Sequence, residues 1–148
     1  MQRTLVLLKP DCVQRRLVGN LIQRFEQKGL RIVAMKMVHA SRDLAEKHYA
    51  VHKGKPFYDS LLNFLTSGAT VALVLEGREA VTVLRTLIVA TDGAKAPPAT
   101  IRGDFAISVQ NNLVHGSDST ENAAAEISLW FTPAELLTYA MADSSWIG

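Results

Sequence analysis

The residue types able to do chemistry gather in Asn112-Leu113-Val114-His115-Gly116-Ser117-Asp118-Ser119. The apolar residues before His115 read as the end of a buried strand. Ser117, Asp118 and Ser119 read as turn residues and helix N-caps. Gly116 in that setting allows a tight turn with positive φ. His115 is therefore expected at the lip of a strand, beside a helix N-terminus, where free backbone N–H groups and the helix dipole favour a phosphate. An imidazole can form a covalent intermediate when a neighbour fixes its tautomer. Glu126, on the helix that follows, is placed to reach the far ring nitrogen. The octapeptide alone leaves two readings open: a nucleophile, or a ring bonded to a nearby turn.

The elements that must position this stretch can be read in order. Arg3 to Lys9 is a buried strand, with Leu5, Val6, Leu7 and Leu8 in one apolar run that ends at Pro10. Lys9 at the strand end could hold an ammonium over a phosphate, or be a solvated surface lysine. Asp11-Cys12 opens a helix. Val18, Leu21, Ile22 and Phe25 form a helical stripe that Gly29 ends. Leu30 to Val38 is a second strand with Leu30, Ile32, Ala34 and Met37 on one side. Ser41 caps a helix from Asp43 to about Val51.

His48 and His52 stand at i and i+4 on that helix, a spacing that can hold a metal. No third ligand is placed to complete the site, so ordinary packing is the expectation. A zinc hydrolase built on His48, His52 and His115 is a competing reading. A regulator that binds nucleotide without transferring phosphate is another. Lys53-Gly54-Lys55-Pro56 is a basic turn that lacks the spaced glycine and Ser/Thr of a P-loop. A largely apolar helix follows from Phe57 to Leu65. Thr70 to Leu75 is a third strand, and Ala80, Val81, Leu84, Leu87 and Ile88 form another stripe with Arg85 off it. Thr91 to Ala99 is a breaker-rich loop of the length functional loops have. The tripeptide Arg102-Gly103-Asp104 matches a cell-adhesion signal, but three residues recur by chance. Asn122 to Trp130 is helical, and Thr132-Pro133 starts a last helix.

The 148 residues suit one domain spanning 1–148, and 48% hydrophobic residues suffice for a core. A net charge of +2 gives no support for nucleic-acid binding. Cys12 is the one cysteine, so no internal disulfide is expected. No apolar run approaches the ~20 residues of a membrane span. A cytoplasmic protein with no membrane partner is the expectation. Strand-helix-strand repeated twice, with helical inserts, suggests an α+β fold of βαββαβ type. That is a four-stranded antiparallel sheet with helices on one face and added helices besides.

The octapeptide resembles the active-site signature of nucleoside diphosphate kinases. The resemblance runs from Thr4 to Trp146. It includes Leu8-Lys9-Pro10-Asp11, His48-Tyr49, Lys55-Pro56-Phe57, Thr100-Ile101-Arg102-Gly103-Asp104-Phe105 and Glu126-Ile127-Ser128-Leu129-Trp130-Phe131. It implies the ferredoxin-like fold with a helical lid. It also implies transfer of a γ-phosphoryl group from a nucleoside triphosphate to a nucleoside diphosphate through a phosphohistidine, with ping-pong kinetics. By motif, His115 is the nucleophile, Glu126 orients it and Ser117 supports Glu126. Lys9, Tyr49, Arg85, Thr91 and Arg102 meet phosphates, and Lys9 and Asn112 meet the sugar 3′-hydroxyl. Phe57 stacks on the base. Mg²⁺ arrives with the nucleotide, no protein group ligates it directly, and Asp118 meets it through water. A homo-oligomer, tetramer or hexamer, is implied.

The chain departs from the family pattern at Cys12, Val89 and Ala99, where glycine is common, and at Asp92-Gly93, where Asn-Pro is usual. The last three departures bear on the Thr91–Thr100 loop, which in the family also helps subunits assemble.

Overall fold

The computed structural model describes all 148 residues. Its sheet has β1 (Gln2–Leu8) as an inner strand, which pairs antiparallel with β3 (Ala69–Gly77) on one side and β4 (Val114–Gly116) on the other. β2 (Arg31–His39) pairs antiparallel with β3, so the order across the sheet is β2-β3-β1-β4. The helices are α1 (Pro10–Gln14), α2 (Val18–Gln27), α3 (Arg42–His48), α4 (Tyr58–Leu65), α5 (Ala80–Ile88), α6 (Ile101–Phe105), α7 (Thr120–Trp130) and α8 (Ser144–Ile147). The strands with crossovers α2 and α5 make the expected ferredoxin-like βαββαβ core.

The two crossover helices share one face. Leu21 and Phe25 of α2 and Leu84 and Ile88 of α5 pack there with Val6 and Leu8 of β1. The added helices cover the other face, where Ala45, Leu62, Leu65, Ile127 and Trp130 meet Leu5 and Leu7. A strand buried on both sides needs no polar alternation, which is why β1 reads as an unbroken apolar run.

Several local expectations change. Gly116 is absent from the positive-φ residues. Glycine is needed there for space, since a Cβ would come within 2.9 Å of Leu84 and 3.0 Å of Ile88. β2 carries a bulge between Ile32 and Ala34, which shifts the phase of its side chains. Val33 is buried and Met37 exposed, the reverse of simple alternation. α3 stops at His48, and a 3-10 turn (Ala50–His52) follows. Thr132-Pro133 starts only a 3-10 turn with a capping box. The chain beyond runs along the edge of β2: the Leu137 amide donates to the Val33 carbonyl at 3.0 Å. That edge pairing overrides the helix propensity of Pro133-Ala-Glu-Leu-Leu. α8 is a separate four-residue turn.

The segment from Val89 to Ala99 holds unusual backbone. Val89, Ala90 and Ala99 have φ of 46°, 34° and 74°. Val89 combines this with ψ of 151°, a region suited to glycine. The loop keeps its shape because Asp92 caps Ala94 and the Asp104 carboxylate accepts from the Ala99 amide at 2.9 Å. Val89→Gly is expected to stabilise the protein by about 1 kcal/mol, as relief of strain outweighs glycine's entropy and a lost half-buried side chain. Thermal unfolding should show a midpoint about 2–4 °C higher.

Candidate active site

β4 sets His115 opposite Leu7 of β1. It is only three residues long, because the backbone just before it is held in an irregular shape. Leu113 has φ of 74°, and the Val114 amide donates to the Asn112 carbonyl at 2.9 Å, closing a γ-turn. Three neighbours hold this turn. Asp11 accepts from the Leu113 amide at 3.0 Å, and the Lys9 amide donates to the Leu113 carbonyl at 2.8 Å. Arg102 donates to the carbonyls of Asn112 (3.2 Å), Ala90 (3.1 Å) and Val114 (2.6 Å). A buried guanidinium needs such acceptors. Burial and the nearby Arg85 pull its pKa down to about 10, against the pull of Asp11. The tripeptide it begins is no adhesion loop, for Arg102 is buried and Asp104 is paired with Arg24.

His115 Nε2 lies 2.8 Å from Glu126 Oε1. The same oxygen accepts from the Ser117 hydroxyl at 2.7 Å, and Ser117 Oγ in turn accepts from the Leu5 amide at 3.2 Å. A carboxylate acceptor places the imidazole proton on Nε2 and leaves the lone pair on Nδ1. Burial would raise the Glu126 pKa, but the His115 and Ser117 bonds outweigh it and hold the carboxyl below its usual range. Ser119 caps α7 by accepting from the Asn122 amide at 3.0 Å, which fixes the helix that carries Glu126.

A cleft of about 680 Å³ opens at His115. Lys9, Lys47, Arg85 and Arg102 line it against two carboxylates, Asp118 and Glu126. This excess of cations suits a polyanion. Lys9 is buried and donates to Asn112 Oδ1, while the Asn112 amide group donates to the carbonyls of Thr91 (2.9 Å) and Val109 (2.8 Å). Asn112 thus joins β1 to the Thr91–Thr100 loop. Arg85 reaches the Gly116 carbonyl at 3.4 Å. Tyr49, Phe57 and Thr91 also line the cleft. Burial and then Glu126 push the Tyr49 phenol up to about 12, so it stays neutral and can donate. Ser117 lies beneath the cleft, fully buried.

His48 and His52, for which the sequence predicts ordinary packing, do not fall in one cluster of possible metal ligands. The structure instead groups His48 with His115 and Glu126, their donor atoms within 4.8 Å of one another. Each of these side chains already has a partner: His48 Nδ1 accepts from the Trp130 indole at 3.2 Å, and Glu126 Oε1 serves His115 and Ser117. His52 is left out, and its Nδ1 is buried without a partner. Edge-to-face rings run from His115 to His48 (4.6 Å between centroids) and on to Tyr49 (4.7 Å). Tyr49 and His52 are tilted and farther apart (6.2 Å, 39°), and His52 meets Phe57 edge-on (5.4 Å). Helical spacing pointed from His48 to His52. Its partners lie on α7 and β4, far away in sequence, and only the His48-Tyr49 motif marked it.

The family profile described as Nucleoside diphosphate kinase matches residues 2–136. The chain belongs to the nucleoside diphosphate kinase family. The nucleoside diphosphate kinase of Archaeoglobus fulgidus is 53% identical, covering 99% of this chain and 97% of that protein. That of Thermosynechococcus vestitus is 54% identical, over 99% of this chain and 98% of that protein. The halophilic nucleoside diphosphate kinase of Halobacterium salinarum, solved in complex with CDP, superposes with a TM-score of 0.97 at 43% identity. It covers 99% of this chain and 98% of its own. A family protein from Babesia bovis superposes with a TM-score of 0.97 at 42% identity, each chain fully covered.

Burial lowers the Lys9 pKa to about 8, with Asp11 opposing and Arg102 assisting. The ammonium is thus present at neutral pH and lost as pH rises through that value. The unfolded chain binds this proton more tightly, so Lys9's contribution to folding stability rises between about pH 8 and 10.4. Nucleoside diphosphate affinity should move the other way. Calorimetric titrations are expected to show about a tenfold loss from pH 7 to 9.5, flattened in Lys9→Arg.

Proposed function

We propose that this chain transfers the γ-phosphoryl group of a nucleoside triphosphate to a nucleoside diphosphate through phosphorylated His115. The observation that carries this is the tautomer set by Glu126 Oε1 at 2.8 Å from Nε2, beside a cleft lined with cations. Nδ1 attacks phosphorus, an N–P bond forms, and the bond from phosphorus to the β–γ bridging oxygen breaks. The diphosphate leaves with that oxygen. No proton need depart, because the attacking nitrogen carries a lone pair. The ring becomes cationic, and the Glu126 carboxylate beside it offsets that charge. A different diphosphate then attacks the phosphohistidine, and the ring returns to its starting state.

Lys9, Tyr49, Arg85, Thr91 and Arg102 are assigned to the phosphates. Arg102 spends three donors on backbone carbonyls, so its remaining N–H groups serve the nucleotide. Lys9 and Asn112 are assigned to the sugar 3′-hydroxyl. Phe57, 46% exposed on the cleft wall, offers a ring to the base, and every base has a π-face. The nucleotide enters as its Mg²⁺ complex. Asp118 is the cleft carboxylate free of His115; Asn122 takes one oxygen, and the exposed side chain can accept from metal-bound water. No helix is long and apolar enough to cross a membrane. Residues 1–148 are taken as one catalytic domain acting in the cytoplasm. A homo-oligomer, tetramer or hexamer, is part of the same reading, with exposed Met35, Met37 and Ile107 as candidate contacts.

Incubation with γ-labelled ATP tests the reaction. The protein should take up label that acid removes and alkali does not, and several nucleoside diphosphates should collect it. His115→Ala should lose transfer by about 10³-fold or more while nucleotide still binds. An unlabelled wild-type protein would overturn the proposal.

A further inference from the structure

We infer that His48 is a positioning residue for His115: its ring, held in one orientation by the Trp130 indole, fixes the rotation of the His115 imidazole about its bond to Glu126. The inference rests on the reading of His115 as the nucleophile.

One hydrogen bond at Nε2 fixes a tautomer but not a plane. An imidazole tethered at one nitrogen can still turn about that bond, and its opposite nitrogen sweeps through an arc. In-line attack on phosphorus needs that nitrogen in one direction. His48 supplies the missing lateral contact, with ring centroids 4.6 Å apart and planes at 81°.

His48 is itself immobilised. It ends α3, is 9% exposed, and accepts at Nδ1 from the Trp130 indole at 3.2 Å. The Trp130 ring also meets it edge-on at 5.6 Å, and Tyr49 meets it at 4.7 Å. With Nδ1 accepting, its proton sits on Nε2. Burial, then the neighbouring His115, depresses its pKa to about 3, so at neutral pH it is an uncharged ring and not a second base. Trp130 and Glu126 both project from α7. One helix therefore sets both constraints on His115, one directly and one through His48.

The test uses the whole protein. Single-turnover uptake of phosphate from γ-labelled ATP is timed in wild type, His48→Ala, His48→Asn and Trp130→Phe. Nucleoside diphosphate affinity is measured on each by calorimetry, and the His115 ring nitrogens are followed by ¹⁵N NMR. His48→Ala should slow uptake about 10- to 100-fold with affinity within about twofold. Its His115 nitrogens should keep one protonated and one bare signal, because Glu126 still sets the tautomer, but their relaxation should report ring motion absent from the wild type. His48→Asn keeps an acceptor for the indole and should recover part of the rate. Trp130→Phe should shift both readouts in the same direction as His48→Ala. If His48→Ala does not fold, the other two variants carry the test.

Uptake within about twofold of wild type in the folded variants would overturn the inference. So would ¹⁵N relaxation at His115 unchanged from the wild type, or parallel losses of rate and affinity. Failure of the wild type to take up acid-labile phosphate would instead remove the parent reading.

Discussion

The bond from His115 to Glu126 governs the site, and it is anchored in the middle of the sheet. Glu126 Oε1 takes the Ser117 hydroxyl, and Ser117 takes the amide of Leu5. Leu5 lies in β1, one of the two inner strands with neighbours on both sides and cores on both faces. The His115 ring is therefore tied to the interior of the sheet through two side chains. A carboxylate placed there is costly to bury alone, but its two donors compensate for the lost water. The same arrangement fixes a tautomer without any ligand and leaves a negative charge beside a ring that would turn cationic on phosphorylation.

A second constraint is the buried guanidinium of Arg102. Its three carbonyl partners lie on both sides of the strained Leu113 turn and in the segment that begins the Thr91–Thr100 loop. The cation and the backbone strain stabilise each other: the strained carbonyls solvate the charge, and the charge holds the carbonyls in place. Lys9, Asn112 and Asp11 complete the set. The positive wall of the cleft and the turn that presents His115 are thus one structure.

Much of this was legible in the chain. The run Leu5 to Leu8 announced a strand covered on both faces, and the stripes of α2 and α5 fell where their apolar spacing put them. Ser41 and Ser119 cap as their positions suggested. The octapeptide placed Glu126 within reach of the ring. What was not legible depended on partners distant in sequence. The bulge in β2 answers to pairing with β3, and the segment after Pro133 answers to the free edge of β2. Gly116 was given the wrong cause, since close approach by Leu84 cannot be seen without α5 in place. His48 reads as ordinary packing because no third ligand can be placed beside it and His52, while its hydrogen-bond partner, Trp130, lies 82 positions away.

The rings that lead from His115 through His48, Tyr49 and His52 to Phe57 have a mechanical consequence. On the proposed reading, the wall offered to the base and the ring offered to phosphorus are joined by one run of neighbouring aromatic rings. Loosening the outer wall to admit bulkier bases would slacken the inner ring as well. Breadth of substrate in such an architecture comes from indifference to the base's hydrogen-bonding edge, with the wall itself kept stiff, so permissiveness and rigidity are inherited together.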